Sequence, residues 1–113
     1  MYFYKVDSKI IYSTTELEGL TPVKANSTEA AVEKHLPVVS INGTNVDVVV
    51  GSTIHPMEEK HYIGFIILET TKGVYQRILK PGDEPKAHFT LNDEELVAVY
   101  EYCNLHGIWV TKN

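Results

Sequence analysis

The stretch 36–50, "LPVVSINGTNVDVVV", decides the fold of this chain. Two runs rich in valine and isoleucine, 36–41 and 44–50, flank the dipeptide Asn42-Gly43. Both residues tolerate the positive φ angles of a type I′ turn, and Asn-Gly between such runs is the strongest short-range sign of a β-hairpin. The stretch therefore predicts two antiparallel strands joined by a tight turn.

The rest of the chain repeats this pattern of short strands and turns. Five more strands are predicted at 61–70, 73–79, 87–91, 96–103 and 108–112. Only "NSTEAAVEK" at 26–34 favours a helix, of one or two turns, with Asn26 as N-cap and Glu29 at the third helical position. About seven strands with turn signals roughly every ten residues predict an all-β, immunoglobulin-like antiparallel β-sandwich. Residues 1–25 are predicted to form a short N-terminal appendage.

Composition limits the classes of function. A chain of 113 residues suits one core, and its net charge of −5 argues against a nucleic-acid binder, which normally has a basic face. No apolar run approaches the roughly 20 residues that span a bilayer. The start lacks the pattern of a secretory signal, and a single cysteine forms no internal disulfide. These features predict a cytoplasmic protein.

Histidine placement is the first sign of chemistry. Four of the five histidines adjoin predicted turns or loops, and the only cysteine lies three residues before the last of them: His35, His55, His61, Cys103 and His106. The fifth histidine, His88, lies inside a predicted strand and is not expected to bind metal. Taken singly, each of these residues is more often a solvated side chain than a ligand. Together they form a candidate metal site, because loops at one end of a sandwich converge.

The types of donor favour one metal over another. Structural zinc usually has four ligands, of which more than one is cysteine. Four neutral imidazoles and one thiolate instead suit a five-coordinate iron with its sixth position open.

Four blocks of the sequence carry a resemblance to a known family. They are "EKHLPV" (33–38), "GSTIHPMEEKHYI" (51–63), "LKPGDEPKAHF" (79–89) and "YEYCNLHGIW" (100–109). In order and spacing they resemble the signature blocks of superoxide reductase, the family that includes neelaredoxin and the iron-binding domain of desulfoferrodoxin. The resemblance covers about 27–112 and implies an immunoglobulin-like sandwich with one mononuclear non-haem iron at its rim.

The resemblance also implies roles for single residues. The four equatorial iron ligands would be His35, His55, His61 and His106, and the axial ligand would be Cys103. Glu33 and Lys34 match the pair that faces the open sixth position. The implied reaction is the one-electron reduction of superoxide to hydrogen peroxide, after which an external donor such as rubredoxin restores the ferrous iron. A homodimer or homotetramer is expected, because members of the family commonly self-associate.

The N-terminal segment departs from the two-iron members of the family. "YFYKVDSKIIY" resembles the opening of a desulforedoxin-like unit, but the four cysteines of such a unit are absent, and Val6 stands about where the first would be. Residues 1–25 are therefore predicted to be a degenerate desulforedoxin-like segment without metal, and 26–113 the iron-binding sandwich.

Two other functions remain open at this point. The chain can be a non-enzymatic iron- or zinc-binding module on the same sandwich, or an interaction module, because a fold does not fix a function. For Glu33 and Lys34, the alternative to a catalytic role is a solvated pair of charges at a helix end.

Overall fold

The computed structural model describes residues 1–113 and is built almost entirely of antiparallel strands. Its elements, in chain order, are β1 (Tyr2–Val6), β2 (Lys9–Ser13), α1 (Val32–His35), β3 (Pro37–Asn42), β4 (Asn45–Val50), β5 (Ile63–Thr70), β6 (Val74–Ile78), β7 (Lys86–Thr90), β8 (Leu96–Cys103) and β9 (Gly107–Lys112). No helix in the structure has the length and apolar character that crossing a lipid bilayer demands.

The predicted seven-stranded sandwich is confirmed. One sheet has the strand order β3-β4-β7 and the other the order β6-β5-β8-β9. The hairpin of β3 and β4 forms as predicted, but its turn is shifted by one residue, because Asn42 pairs with Asn45. Gly43 and Thr44 are therefore the central residues, and the positive φ falls on Gly43 (63°). This is the pattern of a type II′ turn, which needs a positive φ only at its first central position.

The main core lies between the two sheets. Alternate side chains of β4 point into it, and Val46, Val48 and Val50 are completely buried. From the other sheet, Ile63 and Ile66 of β5 meet them in the same cluster. This alternation is what a strand with one face on the core produces.

The N-terminal segment forms a third layer on the four-stranded sheet. β1 and β2 pair as a separate two-stranded hairpin, which joins a second apolar cluster formed by Phe3, Phe65, Ile67, Ala98, Tyr100 and Ile108. The ring of Phe3 lies 5.0 Å from that of Tyr100 and 6.0 Å from that of Phe65. Because the hairpin covers the outer face of this sheet, β5 is buried on both faces.

The predicted helix forms as a single turn, within the expected one or two, but it begins later than predicted, and the N-cap assigned to Asn26 is wrong. α1 is a single turn, Val32–His35, and its N-cap residue Ala31 makes no capping side-chain bond. Asn26 has a φ of 57°, and its side-chain amide pairs with the main chain of Val110, at 2.8 Å from Val110 N and 3.2 Å from Val110 O. The amide thus satisfies the backbone N–H and C=O groups of Val110 at the open edge of β9. Because it is engaged in this long-range pairing, it does not cap the helix.

Phe3→Ala should lower the free energy of unfolding by about 3 kcal/mol, because it removes a buried ring between two aromatic neighbours. Urea denaturation would measure this. Val6→Ala is the matched control, since Val6 lies on the same strand but is 40% exposed, and it should change stability by less than about 0.5 kcal/mol. Equal losses in the two variants would contradict the packing role of the hairpin.

Candidate metal centre

The five ligand-type side chains of the sequence analysis meet at one end of the sandwich. Each comes from the end of an element or the connection after it. His35 ends α1, His55 and His61 lie between β4 and β5, Cys103 ends β8, and His106 lies in the turn between β8 and β9. The pairing of Ile63 with Cys103 brings the start of β5 and the end of β8 to this same end.

The ligand atoms lie within a few ångströms of one another. Those of His35, His61, Cys103 and His106 are all within 4.8 Å of one another. His55 is not in that set, but its Nε2 is 3.5 Å from Cys103 Sγ and its ring centroid is 4.5 Å from that of His61. All five residues are therefore brought together.

The four imidazole rings stand in a closed ring of neighbours. Its order is His35, His55, His61, His106. Neighbouring centroids are 4.5 to 5.3 Å apart and the rings are steeply inclined, at 77° to 85°. The rings of His35 and His61, which lie across from each other, are 6.4 Å apart. The four rings therefore enclose one small space, and the ligand nitrogens of His35, His61 and His106 lie within 4.8 Å of one another.

Main-chain carbonyls fix which nitrogen faces inward. His35 Nδ1 is 2.7 Å from the carbonyl oxygen of Ala31, and His55 Nδ1 is 2.7 Å from that of Pro56. A carbonyl only accepts, so Nδ1 carries the proton in both rings and the Nε2 lone pair points into the cluster. Such bonds at the outer nitrogen are typical of metal-binding histidines.

The donor set fits a metal ion. His61 Nε2 is buried and has no hydrogen-bond partner, which is unfavourable unless a cation uses its lone pair. His35 Nε2 and His106 Nδ1 are 3.0 Å apart. Two imidazole nitrogens that bind one ion at right angles, each at about 2.1 Å, are separated by about 3.0 Å. Imidazole and thiolate donors suit a transition metal rather than calcium or magnesium.

Burial sets the protonation states of the cluster. Desolvation lowers the pKa of His35 and of His61, and it lowers the pKa of His55 to about 4. These rings are therefore neutral, as a metal ligand must be. Burial raises the pKa of the Cys103 thiol, while hydrogen bonds from two backbone N–H groups of the following turn partly oppose this rise. Without a cation the sulfur is protonated at neutral pH.

Glu101 is a buried acid that the sequence analysis missed. It lies on β8, two residues before Cys103, with 0% exposure and no hydrogen-bond partner on either carboxylate oxygen. Burial raises its pKa well above the ordinary value and so favours the protonated, uncharged carboxyl. The sequence contains one indication of this buried acid. Glu101 is the single charged residue in the apolar run 96–103, and it lies on the same strand face as Cys103.

Trp109 supports the cluster from the side of β9. Its ring stacks on that of His35 at 5.0 Å, and its indole N–H donates to the carbonyl oxygen of His106 at 3.1 Å. The indole is almost fully buried. One side chain thus holds two members of the cluster in place.

The remaining candidates lie at the rim or away from it. Glu33 and Lys34 are exposed on α1, directly before His35, and neither side chain forms an ion pair. His88 lies on β7, where its Nδ1 is 2.8 Å from an Asp47 carboxylate oxygen. It takes no part in the cluster.

Comparison with known proteins places this site in a family. The profile of the desulfoferrodoxin family matches residues 27–112. The chain belongs to the desulfoferrodoxin family. A curated relative, the desulfoferrodoxin homolog of Archaeoglobus fulgidus, is 46% identical over 87 residues, which cover 77% of this chain and 69% of that protein.

Two solved structures extend the likeness to the fold. The superoxide reductase of Treponema pallidum matches with a TM-score of 0.79 and 37% identity, over 97% of this chain and 84% of that one. The one-iron superoxide reductase of Giardia intestinalis matches with a TM-score of 0.62 and 36% identity, over 72% of this chain and 97% of that one. The extent of the first match requires that it include most of the N-terminal hairpin.

Metal binding to the metal-free protein at pH 8 should release about one proton per ion, because the thiol is protonated and the buried imidazoles are already neutral. A pH indicator in weakly buffered solution would measure the release when Zn²⁺ is added. Cys103→Ala is the control and should release almost none. Binding by the unaltered protein without proton release would show that Cys103 is not a ligand.

Proposed function

We propose that this protein is a superoxide reductase, which reduces superoxide by one electron to hydrogen peroxide at a single non-haem iron. The observation that carries the proposal is the meeting of four imidazoles and one thiol at the end of the sandwich. Support comes from its family and from the solved neighbours that bear this name.

The proposed ligands are the five side chains of the cluster. His35, His55, His61, His106 and Cys103 would together hold the iron. Iron held in this way supplies one electron by passing from the ferrous to the ferric state. Five protein ligands would leave a sixth position for the substrate.

Cys103 is proposed to tune the reaction as well as to bind. Its raised pKa means that, at neutral pH, the thiolate forms when a cation displaces the proton. A thiolate pushes electron density toward the ligand opposite it, as in thiolate-ligated haem. The two backbone N–H groups of the following turn donate hydrogen bonds to the sulfur, and these bonds would weaken its push of electron density.

Lys34 is proposed to attract the substrate. Superoxide is an anion and the chain carries a net charge of −5, so the overall field repels it. An exposed lysine without an ion-pair partner, adjacent to a ligand, supplies a local positive charge on a flexible stem. Its ammonium group can also order water that delivers the two protons needed to form hydrogen peroxide.

Glu33 is proposed as the carboxylate that faces the same open position in the resting oxidised state. Ferric iron is a harder acid than ferrous iron and so attracts a carboxylate. Glu33 lies beside Lys34 on α1, and its side chain is exposed and free of ion pairs.

The electron is proposed to come from a separate protein, rubredoxin or a similar small redox protein. Cys103 is the only cysteine of the chain, so a second iron with four thiolates cannot form within it. We also retain a homodimer or homotetramer as the expected assembly, and 1–25 as a desulforedoxin-like segment that has lost its metal.

Stopped-flow mixing of the reduced, iron-loaded protein with superoxide tests the activity. We expect oxidation of one iron and formation of one hydrogen peroxide per superoxide consumed, without release of dioxygen. A non-enzymatic metal-binding module would leave superoxide to decay at its uncatalysed rate.

Cys103→Ser should abolish the visible absorption of the oxidised, iron-loaded protein and most of its activity, because a hydroxyl gives no thiolate charge-transfer band. Absorption spectra together with iron analysis would show this. The matched control is His88→Gln, which changes a histidine outside the cluster and should keep both the iron and the band. Loss of iron from the control would mean that the ligand set is wrong.

Lys34→Ala should slow the second-order reaction with superoxide by roughly tenfold, which corresponds to about 1.4 kcal/mol. The physical reason is the loss of local attraction for the anion, and so the variant's rate should also depend less on added salt. Stopped-flow rates over a range of ionic strength would measure both effects.

Two further variants separate a local effect from the change in net charge. Lys34→Arg keeps the charge and should recover much of the rate. Lys112→Ala removes a charge at the far end of β9 and should leave the rate almost unchanged. A Lys34→Ala rate equal to the wild-type rate at low salt would reduce Lys34 to a solvated charge.

A further inference from the structure

The connection after β4 lies directly against α1. A Cβ atom on Gly51 would stand 2.7 Å from the carbonyl oxygen of Glu33, 3.0 Å from that of Leu36 and 3.1 Å from the carbonyl carbon of Lys34. Separations below about 3.0 Å are too short for non-bonded carbon and oxygen atoms. The close approach of α1 therefore requires glycine at this position.

Hydrogen bonds hold α1 against this connection. The carbonyl oxygen of Glu33 accepts from the backbone N–H of Thr53 at 2.9 Å and from the hydroxyl of Ser52 at 3.2 Å. One turn of helix without a capping side chain has little stability of its own. The position of α1 therefore depends on the three residues 51–53, which we call the seat.

The seat lies between two parts of the cluster. Two residues beyond it comes His55, whose N–H donates to the carbonyl oxygen of Val50 at 3.0 Å. On the other side lies α1, which carries Glu33 and Lys34 and ends at His35. The ring centroids of His35 and His55 are 4.8 Å apart. The position of the seat therefore determines the distance between the rings of His35 and His55. It also determines where Glu33 and Lys34 stand at the rim of the site.

The side chains of Glu33 and Lys34 have no anchor of their own. Both are exposed and neither forms an ion pair, so their placement follows from the main chain that carries them. A displacement of about 1 Å in a group that orients a substrate costs up to a hundredfold in rate.

We propose that Gly51 is a positioning residue, which lets α1 settle on the seat and thereby places Lys34 beside the open position and His35 within the metal site. This inference rests on the proposed function for the role of Lys34. Its consequence for the metal ligands is independent of superoxide.

Gly51→Ala tests the seat, with Gly73→Ala as its matched control. Gly73 has no neighbour within 4 Å of an added Cβ and no positive φ, so its variant should behave as wild type. In Gly51→Ala, the affinity of the metal-free protein for Co²⁺ should fall about tenfold, as it does when groups behind a ligand are disturbed. Titration followed by visible absorption would measure this without any turnover.

The kinetic arm uses the fully iron-loaded protein. Gly51→Ala should slow the reaction with superoxide by roughly tenfold and flatten its dependence on salt, because Lys34 has moved. A double-mutant cycle with Lys34→Ala then separates positioning from general damage. If Gly51 acts through Lys34, the second substitution adds little to the first. Effects that multiply in full would overturn the role of Gly51 in placing Lys34.

Ser52→Ala keeps the test valid if Gly51→Ala does not fold. It removes only the hydroxyl that donates to Glu33 at an exposed position, and should reduce Co²⁺ affinity and rate two- to threefold. Wild-type values in both variants would refute the seat. A wild-type protein that does not reduce superoxide would refute the proposed function instead, and the Co²⁺ titrations would still decide whether the seat positions the ligands.

Discussion

Buried imidazole lone pairs that face one another need a cation or a hydrogen-bond donor between them, and this requirement governs the end of the sandwich where the five side chains meet. The rings of His35 and His55 are oriented by main-chain carbonyl oxygens, which accept hydrogen bonds from their outer N–H groups. Trp109 braces the first of these rings from behind. The site is therefore formed jointly by α1, the connection 51–62 and the turn after β8, and no single element defines it. The strands supply a rigid frame for them.

Local patterns predicted the frame well. Strand alternation and the Asn-Gly signal located the hairpin of β3 and β4, because these depend on neighbours in the sequence. The turn was assigned one residue too early, since pattern alone does not say which pair of residues closes a hairpin. Asn42 pairs with Asn45, and only Gly43 needs a positive φ. Placement of four histidines and Cys103 near predicted turns identified the candidate site, while their order around a ring required three-dimensional structure.

Long-range contacts were beyond the reach of the sequence. Asn26 is of a residue type that is common at N-caps, but its side-chain amide forms hydrogen bonds with the edge of β9, 84 residues away. Phe3 fills the outer face of the four-stranded sheet, which no periodicity in the first 25 residues reveals. Glu101 on β8 was missed for the opposite reason: a charged residue predicts exposure, yet its carboxyl is enclosed, and burial favours its uncharged form. In each case tertiary packing outweighs the local preference.

The wide separation of the clustered side chains along the chain has a consequence for the lifetime of the protein. His35 and His106 are 71 residues apart, so one ion bound to both closes most of the polypeptide into a loop, as a disulfide would. Each tenfold rise in free ion concentration above the dissociation constant adds about 1.4 kcal/mol to stability. Loss of the ion would remove this constraint from the unfolded chain and raise the unfolded fraction, on which proteases act. The supply of metal would then govern how much of the protein persists in a cell, as well as how much of it is active.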